Sequence, residues 1–155
     1  MTTMADQSSA AETVSGKRAT PAHQKHRNAP IAFFDGECTM CNAAIRFLMQ
    51  RSDALLFAPL QGETAATLLD ESQRDLKSLV LRTPDGQVVR NSTAVLRAAG
   101  YCRQPWALLA RLGRLVPRPF RDGVYRLIAA SRYRLFGKQE LCRLPNEQEA
   151  NRLLP

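Results

Sequence analysis

From residue 31 onward, short apolar runs alternate with amphipathic stretches. Ile31-Ala32-Phe33-Phe34 is a continuous apolar run and reads as a strand. After a turn at Asp35-Gly36, Cys41, Ala44, Ile45, Leu48 and Met49 recur at i, i+3, i+4, i+7 and i+8. That is the spacing of one helical face, so a helix is expected to begin at or beside Cys38. Residues 54–58 form a second apolar run, suited to a strand buried on both faces and stopped by Pro59. Strand, helix and strand in this order predict a right-handed crossover joining two parallel strands. Gln61-Gly62-Glu63 opens a short helix with Ala65, Ala66, Leu68 and Leu69 on its apolar side, and residues 70–77 are polar enough for a helix end and a loop. Residues 78–82 and 87–90 read as strands around Thr83-Pro84-Asp85-Gly86. In that turn proline presets φ and glycine accepts a positive φ, so a hairpin is expected. Asn91-Ser92-Thr93 supplies N-cap candidates for a helix through Ala94, Val95, Leu96, Ala98 and Ala99, which Gly100 ends.

The order strand, helix, strand, helix, strand, strand, helix is that of an α/β fold of thioredoxin-like type, in its minimal glutaredoxin-like form. The last third is helical. One helix is expected over residues 106–115 and a break at Val116-Pro117-Arg118-Pro119. A second is expected over 120–133, with Val124, Leu127, Ile128 and Ser131 facing inward. Gly137 breaks the chain again, and a final short helix is expected over 146–154. The first 29 residues carry no apolar periodicity and read as a disordered tail before a domain spanning 30–155, whose helical extension starts near 103. The tail has no apolar h-region, and no stretch approaches the roughly 20 apolar residues of a membrane span, so a cytoplasmic protein is expected.

Charge changes the picture of the last third. Residues 101–155 hold eleven Arg or Lys against four Asp or Glu, whereas residues 1–100 are nearly balanced. A basic half of this kind meets nucleic acid, anionic lipid or an acidic partner in some proteins and is merely a solvated arginine-rich surface in more of them. Charge alone makes no strong case for nucleic acid.

The candidate chemistry lies at Asp35-Gly36-Glu37-Cys38-Thr39-Met40-Cys41. A cysteine at a helix start lies near unpaired N–H groups and the positive end of the helix dipole, where a thiolate is stabilised. Cys41 follows one turn later, close enough to close a disulfide and expected to be the more buried sulfur. Cys38 is therefore the candidate nucleophile and Cys41 the resolving thiol. Asp35 either caps the turn by accepting backbone N–H groups or takes the proton from Cys41. Arg46 and Trp106 are read as surface and packing residues. Cys102 reads as core or loop, Cys142 as a small buried hydrophobe or a residue folded back near the site, and His23 and His26 lie in the tail without a ligand pattern.

Two other functions compete. Four cysteines could hold zinc, but structural zinc usually takes two closely spaced pairs, and Cys102 and Cys142 are forty apart. An iron–sulfur centre bridging the CxxC motifs of two chains is a variant of that idea. The third reading is a basic module using its arginine-rich helices on a membrane surface or nucleic acid. No cofactor is called for by the leading reading.

The sequence resembles the DCC family of thiol-disulfide oxidoreductases, named for its Asp-x-x-Cys-x-x-Cys signature. Asp35, Cys38 and Cys41 match that signature. Phe57-Ala58-Pro59-Leu60-Gln61, Ser78-Leu79-Val80-Leu81 with Asp85-Gly86, Leu115-Val116-Pro117, and Tyr133-Arg134-Leu135-Phe136-Gly137 with Cys142 and Pro145 extend the resemblance over about residues 31–145. It implies a thioredoxin-like fold and disulfide exchange on a protein or small-molecule disulfide. Ordinary thioredoxins and glutaredoxins place a cis-proline before the third strand, facing the CxxC; Leu76-Lys77-Ser78 stands there, so Ser78 is expected at the facing position. Ser92-Thr93-Ala94 occupies the place where glutaredoxins bind the glutathione carboxylate at a helix N-terminus, which makes glutathione a candidate partner. Deleting residues 1–29 is expected to leave melting temperature and thiol alkylation rate nearly unchanged. A large loss of stability in thermal melts would place the tail on the core.

Overall fold

The computed structural model describes residues 28–76, 78–137 and 150–155. Four strands form one sheet in the order β2-β1-β3-β4: β1 (Ile31–Phe34), β2 (Leu56–Pro59), β3 (Val80–Arg82) and β4 (Val88–Arg90). β1 pairs with β2 in parallel and with β3 antiparallel, and β3 and β4 make the expected hairpin. The helices are α1 (Thr39–Arg51), α2 (Glu63–Leu68), α3 (Asn91–Ala99), α4 (Trp106–Gly113) and α5 (Arg118–Phe136), with a 3₁₀ turn at Glu71–Gln73. This is the thioredoxin-like arrangement with a helical extension.

The sheet separates two apolar clusters, as its side-chain alternation requires. Ala32, Phe34, Phe57 and Leu81 point to the side covered by α1 and α3, where they meet Ile45, Leu48, Met49, Ala94 and Ala98. Ile31, Phe33, Ala58 and Val80 point to the other side, under Leu60, Ala65 and Leu69. β1 is buried at every position, which is why its sequence is a solid apolar run rather than an alternating one. Cys102 lies in the first cluster as a small hydrophobe. Trp106 flanks it, edge-on to Phe47 with ring centroids 4.8 Å apart, and so serves packing.

Three expectations need correction. Helix α3 starts at Asn91 with Arg90 as its cap, and none of Asn91, Ser92 or Thr93 caps it by side chain. The hydroxyls of Ser92 and Thr93 instead bond Asp122 and Arg121 of α5. The predicted last helix lies outside the described residues over 146–149, and the described end of the chain is not helical beyond Ala150. Leu153 bridges Phe57 in parallel, with Phe57 N–H donating to Arg152 O and Leu154 N–H to Phe57 O at 2.9 and 2.8 Å. The chain end thus covers the β2 edge, which would otherwise present unpaired backbone groups. The third correction concerns α5. Val124, Leu127 and Ile128 face outward, and the side turned to α3 and the sheet carries Asp122, Tyr125, Ala129 and Arg132.

Phe57 joins the core cluster, β2 and the chain end. Phe57→Ala should lower the unfolding free energy by about 3–5 kcal/mol through lost transfer energy and an unfilled cavity. Urea denaturation checks this as a lower midpoint with the slope retained.

Candidate active site

The turn after β1 delivers the site. Asp35 leaves the end of β1 and accepts the Glu37 N–H at 3.1 Å, the short-range bond of an Asx turn. Cys38 N–H donates to Asp35 O at 3.3 Å, and Asn42 Nδ2 donates to Gly36 O at 2.9 Å, tying the turn to α1. Cys38 is the N-cap of α1, and its Sγ accepts the Cys41 N–H at 3.3 Å. A side chain in that position sits at the positive end of the helix dipole.

The burial of the two sulfurs is the reverse of expectation. Cys38 is fully buried and Cys41 is only partly so. The face containing Ile45, Leu48 and Met49 is buried against the sheet, whereas Cys41 and Ala44 line a cavity of about 100 Å³. Phe34, Met40, Leu79, Val95 and Ile128 make the other walls mostly apolar. Ser78 lines the same cavity as Cys41. Lys77 lies outside the described residues, as does Cys142. Arg46 is exposed, as read from the sequence.

Helix α5 brings in the residues that sequence reasoning missed. Arg132, 4% exposed, lies with Nη1 3.8 Å from Cys41 Sγ and Nη2 3.5 Å from Asp35 Oδ2. Its Nη2 also donates to the Leu76 carbonyl, holding a residue whose φ of 54° lies in the left-handed region. The Tyr133 hydroxyl donates to Asp35 Oδ2, and Gln61 Nε2 donates to Asp35 Oδ1 at 3.0 Å. Asp35 thus accepts from Glu37 and Gln61 on one oxygen and faces Tyr133 and Arg132 on the other. It accepts three hydrogen bonds and makes one ion pair, which cap the turn and anchor α5.

The thiol of Cys41 is pushed up to about 12. Burial is the largest cause, followed by its hydrogen bond to Cys38 and by the charge on Cys38; Arg132 pulls the other way. Tyr133 is also pushed up to about 12, by burial first and then by its bond to Asp35 and that carboxylate's charge. At the N-terminal end of α3, the Ser92 hydroxyl donates to the Asp122 carboxylate. Among the described residues no group of three or more His, Cys, Asp or Glu side chains converges as metal ligands would.

Residues 32–138 match the family model of the DCC1-like thiol-disulfide oxidoreductases. This chain belongs to that family. It is 40% identical over 129 residues to the uncharacterized protein YuxK of Bacillus subtilis, covering 81% of this chain and 93% of the relative. It is 32% identical over 138 residues to a chloroplastic DCC family protein of Arabidopsis thaliana, covering 86% of this chain and 80% of the relative. No solved structure matches it. Family membership makes the chain an oxidoreductase with thiol-disulfide chemistry, and Cys38 and Cys41 are the CxxC pair within the matched region.

The only signal for Arg132 and Tyr133 in the sequence was the family-like segment beginning at Tyr133. Nothing local marks an arginine late in a helix as a partner of Asp35. Removing it leaves a buried carboxylate unpaired, so Arg132→Met should cost about 3–5 kcal/mol, and pairing it with Asp35→Asn should cost less than the two single changes summed. Denaturation of the four proteins checks the coupling, and additive losses would mean that the pair is not energetically linked. The pH dependence has a definite sign. The fold holds the Cys41 and Tyr133 protons more tightly than the unfolded chain does. Their contribution is whole below about pH 9, near the ordinary thiol value of 9.0, and is lost as pH rises toward 12. Urea melts of the reduced protein should show stability falling across that window, less steeply in Cys41→Ala.

Proposed function

We propose that the chain exchanges disulfides through the Cys38–Cys41 dithiol, with Cys38 attacking and Cys41 resolving. The observation that carries this reading is the placement of the two sulfurs at the start of α1. Cys38 Sγ caps the helix and accepts the Cys41 N–H at 3.3 Å, while burial and its neighbour Cys38 push the Cys41 thiol up. Attack on a disulfide requires a thiolate. Cys38 is buried, so its attack requires local opening at the start of α1, and helix ends open at low free energy.

In the first step the Cys38 thiolate attacks one sulfur of a substrate disulfide and expels the other as a thiolate, which takes a proton from solvent. Cys41 then attacks Cys38 Sγ, forming the Cys38–Cys41 disulfide and expelling the substrate's second thiolate, which takes up a proton as Cys41 releases its own to solvent. The substrate gains two electrons and the CxxC loses two. The mixed disulfide removes the negative charge of Cys38, and with it two of the causes that keep Cys41 protonated, while Arg132 stays at 3.8 Å. Cys41 becomes easier to ionise when its attack is due. Asp35 acts as a positioning residue that holds the turn and Arg132.

The apolar cavity beside Cys41 supports a protein or small-molecule substrate with an apolar group flanking its disulfide. Glutathione is the weaker candidate, because Asp122 already uses the Ser92 hydroxyl at the α3 end. No helix among the described residues is long and apolar enough to cross a membrane, and we assign the activity to the cytoplasm, where a CxxC dithiol is kept reduced.

Cys41→Ser should accumulate mixed disulfides with its substrates on non-reducing gels. Cys38→Ser and the double variant should accumulate none and should lose exchange. Adducts trapped by Cys38→Ser instead would reverse the two roles. Cys41→Ser turning over a protein disulfide at the wild-type rate would rule out the dithiol route.

A further inference from the structure

Helices α4 and α5 are inside out. α4 buries Ala107 and Ala110 and leaves Leu108, Leu109 and Leu112 about half exposed. α5 turns Asp122, Tyr125 and Arg132 inward, while Phe120 and Leu127 are 73% and 72% exposed. Every Leu, Ile, Val and Phe from 108 to 135 with a described side chain is at least 45% exposed. On α5 the outward residues Phe120, Val124, Leu127 and Leu135 recur at helical spacing and form one stripe. Ser131 falls within it, and its hydroxyl is spent on the carbonyls of Leu127 and Ile128. A water-facing helix has the opposite pattern.

Charge indicates what covers this surface. Residues 103–137 contain eight arginines and a single acid, Asp122, which bonds Ser92. Arg111, Arg114, Arg118, Arg126 and Arg134 are exposed around the apolar stripe. A second copy of this chain would set arginines against arginines across the interface. A nucleic acid would satisfy the arginines and leave the leucines in water. An anionic bilayer satisfies both at once, because the apolar stripe enters the acyl boundary while arginine side chains reach lipid phosphates.

We propose that α4 and α5 dock this chain on the surface of an anionic membrane, lying in its interface rather than crossing it. This inference stands apart from the exchange chemistry. It has one consequence for it: Ile128 belongs both to the outward side of α5 and to the cavity beside Cys41, so docking brings that cavity to the edge of the bilayer.

The test uses the full chain with vesicles of phosphatidylcholine alone and with phosphatidylglycerol mixed in. The protein should sediment with the anionic vesicles and not with the neutral ones, and the bound fraction should fall as salt is added. Leu112→Ser/Leu127→Ser and Arg126→Ser/Arg134→Ser change exposed residues, so they should keep the wild-type circular dichroism and alkylation rates. Each should weaken partitioning by about tenfold or more. In Leu127→Trp the added emission should be that of a wet indole in buffer and shift to the blue on anionic vesicles. The proposal fails if the wild type ignores anionic vesicles or if both double variants bind as well as it does. It also fails if the indole is already dry in buffer, whether light scattering then reports a dimer, with a second copy as the occupant, or a monomer, with another segment of the chain.

Discussion

The buried pairing of Asp35 with Arg132 is the constraint on which the candidate site depends. Both side chains are nearly excluded from water, and withdrawing two such charges costs several kcal/mol each unless the remaining donors and acceptors are met. Here they largely are. Glu37 N–H, Gln61 and Tyr133 complete the carboxylate, while the Leu76 carbonyl and Cys41 sulfur take further guanidinium hydrogens. Arg132 Nε has no partner among these. The pair spans the end of β1 and the last turns of α5, so it fixes a C-terminal helix across the turn that carries the cysteines. Without it α5 would have little reason to present a polar side to the core.

That fixed charge sits beside a pair of sulfurs whose own charges are coupled. Cys38 occupies the helix cap and Cys41 donates to it, so negative charge on one sulfur suppresses ionisation of the other. Arg132 acts against this suppression from the opposite side of Cys41. In the exchange proposed above, a negative charge that leaves Cys38 and a positive one fixed on Arg132 act together on Cys41.

Much of the fold was legible because its signals are local. The solid apolar run of β1, the Thr83-Pro84-Asp85-Gly86 turn and the helical spacing after Cys41 each act within a few residues, and each element formed within two or three residues of its expected place. The cysteines and Asp35 were legible for the same reason. What failed was tertiary. Ser92 and Thr93 have the chemistry of caps but give their hydroxyls to α5, a contact no local pattern encodes. Arg132 was invisible because its partners come from β1, α1 and the segment before β3. The burial of Cys38 over Cys41 was missed for a related reason. The sequence describes the face of α1 that meets the sheet, not the helix end that later elements cover.

The most instructive failure is the orientation of α5. Apolar residues at helical spacing normally mark the buried side, and within this chain α1 obeys that rule: it buries Ile45, Leu48 and Met49 and exposes Arg46 and Gln50. α5 has a comparable period and the opposite orientation, so composition is not the reason. The inward side of α5 is already committed to Asp122, Tyr125 and Arg132, whose partners lie on α3, before β3 and at the end of β1. A helix locked by those bonds cannot rotate its stripe into the core without stranding a buried carboxylate and a buried guanidinium. This explains why the apolar side points out. It does not explain why that side is apolar, since polar residues there would leave every inward bond intact and improve solvation. The outward leucines and phenylalanine therefore answer to something other than the packing of the described residues, and the arginines around them indicate the sign of its charge.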